Sequence, residues 1–231
     1  MFNRAATGKS YSSQGQDRFV REVLRELRGG YFIDSGAGDG VEGSNTKLLE
    51  EEYGWSGICV EPNAELFARL CRNRRCRCVN YCLYGKEGAF EFYEAAREYG
   101  GIIEAYCATS LAVAREAVCI LGPRAGLPDI TVKQARRPDT MLLEAGSPHV
   151  IDYWSLDTEG SELEILKSFP FDKYRVRVLT VEHNYFATRE PIRHFLEGLG
   201  YERICLLGID DAYVVREDFP KSAWRRAGRR S

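Results

Sequence analysis

Along this chain, short apolar runs alternate with stretches in which apolar residues recur every three or four positions. The run "YFID" (31–34) predicts a strand, and "SNTKLLEEEYG" (44–54) a helix opened by Ser44 as N-cap and ended at Gly54. "SGICVE" (56–61) is a continuous apolar strand. "NAELFARLCRN" (63–73) follows as a helix capped by Asn63, with Leu66, Phe67 and Leu70 on one face. "CRCVNYCLYG" (76–85) and "GAFEFYEA" (88–95) read as a strand and its hairpin partner. Residues 95–130 break the rhythm with Gly- and Pro-rich stretches, and read as an insertion or lid. The pattern resumes with a short helix at "DTMLLEAG" (139–146), the strand "HVIDYWSLD" (149–157) and a helix whose capping box pairs Ser161 with Glu164. The strand "VRVLTVEH" (176–183) and the helix "EPIRHFLEGLG" (190–200) come next, then "YERICLLG" and "DAYVVRE" joined by a tight turn at Ile209-Asp210. Strand and helix in alternation require right-handed crossovers. The prediction is an α/β, mostly parallel, doubly wound sheet with helices on both faces and an antiparallel C-terminal strand.

A length of 231 residues with 44% hydrophobic content suits one domain over 1–231, with an N-terminal segment (1–29), the insertion (95–130) and a basic tail (221–231). Thirty-two basic against thirty-four acidic residues argue against nucleic acid or an anionic membrane as partner. No run reaches the ~18 apolar residues of a membrane span, and the N-terminus lacks a signal-peptide core, so the chain reads as cytoplasmic. Had an N-terminal anchor been removed, the secretory lumen would be the expected compartment. Of eight cysteines, Cys71, Cys76, Cys78 and Cys82 crowd together without the paired knuckles of a zinc site. Free thiols are the first reading, disulfides the second and a metal cluster the third.

The candidate chemistry starts at the first predicted strand. Asp34, Gly36, Gly38 and Gly40 spell D-x-G-x-G-x-G, a loop suited to S-adenosylmethionine: an acid for the amino acid moiety, then glycines that let the backbone, including Ser35 and Ala37, pass beneath it. Gly38, Gly40 and Gly43 also spell the dinucleotide fingerprint, but there the helix should begin inside the motif, whereas here Gly43 precedes the helix signal at Ser44. Glu61, followed by Pro62, ends the second strand where a carboxylate can accept from both ribose hydroxyls. Tyr81 and Cys82 would border the adenine. Asn45 and Thr46 can offer a side-chain amide, a hydroxyl and free N–H groups to the donor's carboxylate, or serve as plain caps.

Methyl transfer asks for alignment and for removal of the acceptor's proton. "SLDTEG" puts Asp157 and Glu159 at one strand mouth, and "VEHNY" puts Glu182, His183 and Asn184 at the next. His183 is a candidate base or a hydrogen-bonded loop histidine. Asp157, Glu182 and Asn184 could instead hold a divalent cation such as Mg²⁺.

The blocks "SQGQD" (13–17), "FIDSGAGDGVEGSNT" (32–46), "GWSGICVEPN" (54–63), "DYWSLDTEGSELEILKSF" (152–169) and "VLTVEHN" (178–184) together resemble FkbM-type methyltransferases, closest to the animal Star-like branch. The resemblance implies a Rossmann-like class I methyltransferase fold with a seven-stranded sheet, S-adenosylmethionine as donor, a hydroxyl-bearing acceptor, and Gln14 and Gln16 folded over the donor. Star-like members also imply a second role, a catalytically inactive module that binds protein partners in trafficking.

Overall fold

The computed structural model describes residues 9–121 and 128–219. The chain runs through α1 (Gln16–Val23), β1 (Tyr31–Ser35), α2 (Lys47–Tyr53), β2 (Ser56–Val60), α3 (Ala64–Asn73), β3 (Arg77–Val79), β4 (Cys82–Leu83), β5 (Gly88–Phe92) and α4 (Ala108–Leu121). It continues with β6 (Thr131–Arg136), α5 (Pro138–Ala145), β7 (Val150–Leu156), α6 (Glu162–Ser168), β8 (Arg175–Glu182), α7 (Arg189–Gly198), β9 (Tyr201–Leu207) and β10 (Asp210–Val215).

Seven strands pair in the order β3-β2-β1-β7-β8-β10-β9, with β10 antiparallel to both neighbours and the others parallel. The mostly parallel, doubly wound α/β sheet is the one that the periodicity predicts, and its seven strands in a Rossmann-like order are those that the resemblance implies. Its central strands are buried on both faces, because alternate side chains of one strand enter different cores. Phe32 joins Phe19 and Val20 of α1, Leu49 of α2 and Leu70 of α3; Ile33 joins Leu142 of α5, Ile165 of α6 and Ile192 of α7. The order reverses between β1 and β7, which opens a crevice at their carboxyl ends.

Several local expectations change. "CRCVNYCLYG" splits: β3 stays in the main sheet, while β4 enters a separate three-stranded sheet of order β4-β6-β5. β4 and β5 therefore flank β6 and do not pair as a hairpin. The 95–130 segment holds 3-10 turns at Glu94–Tyr99 and Ile103–Ala105 and the helix α4. Ser44 does not cap α2; the N-cap residue is Thr46, and the Ser44 hydroxyl accepts from the Lys47 amide at 3.2 Å. The Ser161–Glu164 box is not formed, because Glu162 turns back to accept from the Thr158 and Gly160 amides while Glu164 pairs with Lys167. The hairpin turn is Gly208-Ile209, one residue early, with Gly208 at φ +65°. Asn63 caps α3 as expected, accepting from Glu65 and Leu66 amides. The predicted basic tail lies outside the described residues. No helix among the described residues is long and apolar enough to cross a membrane.

Candidate functional site

A cavity of about 310 Å³ opens at the carboxyl ends of β1, β2, β7 and β8. The glycine loop after β1, Glu61 and Pro62 after β2, Asp157 to Glu159 after β7, and Glu182 at the end of β8 form its walls. One more wall comes from outside the main sheet: Cys82 and Leu83 of β4, Phe92 of β5, and residues 97–102.

Gly36 turns β1 into the loop at φ +80°, and its amide and that of Ala37 both donate to the Val60 carbonyl. A Cβ there would stand 1.8 Å from the Asp157 carbonyl oxygen, so glycine is what lets the loop run this close to the end of β7. Next in the loop, the Gly38 amide donates to one Glu61 oxygen at 2.8 Å, and the Asn63 amide donates to the other at 2.7 Å. Burial pushes the Glu61 carboxyl up to about 8, while these two N–H groups pull it down. Each oxygen keeps acceptor capacity for a ligand hydroxyl.

Asp34 is built differently. The Thr46 hydroxyl donates to it at 2.5 Å and itself accepts from Arg74 Nη2 at 2.8 Å. The buried Arg74 guanidinium also donates to Glu50 at 2.5 Å and to Ser44 Oγ at 3.2 Å, and stands 3.8 Å from Asp34. Burial raises the Asp34 carboxyl, and Arg74 opposes the rise. Asn45 gives one amide N–H to Ser155 Oγ at 2.8 Å, and its Oδ1 is buried without a protein partner, free to accept from a ligand.

Across the cavity, Asp157, Glu159 and Glu182 bring carboxylate oxygens within 4.8 Å of one another. None of the three forms an ion pair among the described residues. Burial pushes Asp157 up to about 7, with Glu182 hydrogen-bonded to it and Asp210, Glu162 and Asp34 adding repulsion. Glu159 and Glu182 are raised by burial first and by the Asp157 charge second. At neutral pH the group therefore holds protons that isolated carboxylates would have lost. Glu159 also occupies left-handed backbone at φ +58°, a conformation costly for a residue with a side chain.

The sequence model of the methyltransferase FkbM domain matches residues 34–203. The chain belongs to this family of S-adenosylmethionine-dependent methyltransferases. No match is found among curated protein sequences. Among solved structures, a METTL16 methyltransferase domain is 15% identical with a TM-score of 0.46, covering 86% of this chain, which spans 66% of that domain's length. The N-terminal domain of human METTL16 in complex with SAH is also 15% identical, at TM-score 0.43, covering 86% of this chain and 68% of that one. Precorrin-6y C5,15-methyltransferase from Geobacter metallireducens is 14% identical at TM-score 0.44, covering 91% of this chain and 92% of that one. At these levels the assignment rests on the family match and the sheet topology.

In this FkbM-family domain the cavity wall gathers Asp34, Gly36, Ala37, Gly38, Asn45, Glu61, Pro62, Cys82, Asp157, Glu159 and Glu182. Other candidates stand behind it. Ser35 is buried and accepts from Trp154 Nε1, Gly40 backs onto Leu70 and Arg74, Thr46 holds Asp34, and Tyr81 packs on the core. Gln14 lies against Gly208, and Gln16 donates to Asp210 at 2.9 Å, so it is Ser13 of that segment that reaches the cavity. His183 is turned away: Nδ1 accepts from the Tyr185 amide and Nε2 lies 3.8 Å from Asp211. Burial lowers the His183 imidazole. Asn184 spends its amide on Glu182 at 2.7 Å and orients that carboxyl, while Glu159 takes the third place in the acid group. Arg74 and the apolar Phe92 and Ile102 were not signalled by any motif.

Proposed function

We propose that this domain moves the methyl group of S-adenosylmethionine to a hydroxyl acceptor. One observation supports the reading: a single cavity joins the Glu61 and glycine-loop cradle to three carboxyls that form no ion pair among the described residues. The donor's ribose would be held by Glu61, its adenine by Cys82, Leu83 and Phe92, and its ammonium by Asn45 Oδ1. An acid-lined cavity suits a donor bearing sulfonium and ammonium charges. In the in-line displacement, the acceptor oxygen bonds the methyl carbon as the carbon–sulfur bond breaks, and the sulfonium leaves as a neutral thioether. The hydroxyl proton passes to the Asp157–Glu182 pair. A base held near 7 matches that task better than an ordinary carboxylate.

Asp157, Glu159 and Glu182 also meet the hard-oxygen chemistry of a Mg²⁺ site; the ion would lower the acceptor hydroxyl's pKa. Radiolabelled methyl transfer to candidate hydroxyl acceptors, with Mg²⁺ or with chelator, tests both readings. Asp157→Asn should bind donor normally and lose about 10²–10⁴-fold in turnover. Undiminished turnover would remove the acid group from the chemistry.

A further inference from the structure

Four of the eight cysteines, Cys59, Cys71, Cys76 and Cys78, gather where α3 hands over to β3. Cys59 is fully buried on β2, and its Sγ lies 3.4 Å from the Sγ of half-buried Cys76. The surrounding backbone fixes this approach. Cys59 stands opposite Cys78 in the β2–β3 register, and Glu50 accepts the Cys76 amide at 2.6 Å. A zinc site needs its sulfurs mutually about 3.8 Å apart, from a Zn–S bond of about 2.3 Å. Among the described residues the acid group at the cavity is the one set of three such ligands within 4.8 Å, so these thiols meet in pairs and do not converge on a point.

We infer that Cys59 and Cys76 are a disulfide-forming pair, a site of reversible thiol oxidation that closes the chain around the segment bearing Glu61 and Arg74. The oxidant is a small-molecule disulfide such as oxidised glutathione. Cys76, the more accessible of the two, attacks as thiolate; the oxidant's S–S bond breaks, one small thiol leaves, and a mixed disulfide forms on Cys76. Cys59 then gives up its proton to solvent, attacks the Cys76 sulfur and expels the second small thiol. Two protein thiols are oxidised and one disulfide is reduced to two thiols. The sulfurs must close from 3.4 Å to about 2.05 Å, a shift that the connection between α3 and β3 has to supply. Burial raises the Cys59 thiol and its hydrogen bond to Cys59 raises that of Cys76, so the exchange is slow and the reduced pair persists between oxidative episodes.

This inference is independent of methyl transfer. The test is to incubate the whole chain with oxidised glutathione, alkylate under denaturing conditions, and map the peptides by mass spectrometry beside a thermal melt. The expected result is a Cys59–Cys76 cross-linked peptide, reversed by dithiothreitol, with Tm raised by about 6–12 °C for a loop of this length. The exposed Cys107 and Cys119 should carry glutathione only. Cys76→Ser should abolish both the cross-link and the rise. Cys59 recovered fully alkylated, a Cys71–Cys78 link in place of the expected one, or an unchanged rise in Cys76→Ser would overturn the inference; the wild-type map decides alone if the variant fails to fold.

Discussion

Two groups of acids, one beside β1 and one at the mouths of β7 and β8, are built on opposite principles. On the β1 side, Asp34 and Glu50 share the Arg74 guanidinium, and the Thr46 hydroxyl donates to Asp34. On the β7–β8 side, Asp157, Glu159 and Glu182 have one another and form no ion pair among the described residues. A paired buried charge is satisfied and holds structure in place. An unpaired group keeps its protons and its capacity to bond something else. Under the proposed function, the first group is scaffold and the second carries the chemistry.

Removing the cation should break that comparison most sharply. Arg74→Ala leaves Asp34 and Glu50 without their shared cation and should cost about 3–5 kcal/mol in urea unfolding, whereas Glu182→Gln should be neutral or slightly stabilising. Equal losses in the two variants would erase the distinction. A smaller effect comes from pH. Asp157 at about 7, Glu61 at about 8 and Asp210 at about 6 all lie above their unfolded values of 3.8, 4.5 and 3.8. The folded state therefore holds more protons than the unfolded one, and stability falls as pH rises through that window. Ligand-free protein should melt at a higher temperature at pH 5.5 than at pH 8.5, and Asp157→Asn should flatten the slope. A melt that rises with pH would show these acids ionised and paired after all.

How much of this is legible in the sequence depends on how local the determinant is. The β1 strand, its glycines, Glu61 and the Asn63 cap are encoded within a few residues of one another, and they fall where the periodicity puts them. The second sheet is not local: Cys82 pairs with Ala135 across an intervening helix, and "TVKQAR" is too polar to announce a strand. Arg74 follows a helix, where an arginine ordinarily points to water, and only the fold brings Glu50 and Thr46 around it. His183 shows the limit most clearly. Successive side chains of a strand point to opposite faces, so the residue after Glu182 leaves the cavity as Glu182 enters it. Register identified the strand mouth, but parity decided which neighbour faces the ligand. Glu159 joins Glu182 because β7 and β8 are adjacent and in register at Leu156 and Val181.

The most direct measurement is calorimetric titration of the purified chain with S-adenosylmethionine and S-adenosylhomocysteine, alongside Glu61→Ala. Glu61 should accept hydrogen bonds from the ribose hydroxyls, so saturable binding should weaken by about 10–100-fold in the variant. Absence of binding by folded wild-type protein, or equal affinity in Glu61→Ala, would contradict a methyl donor in this cavity.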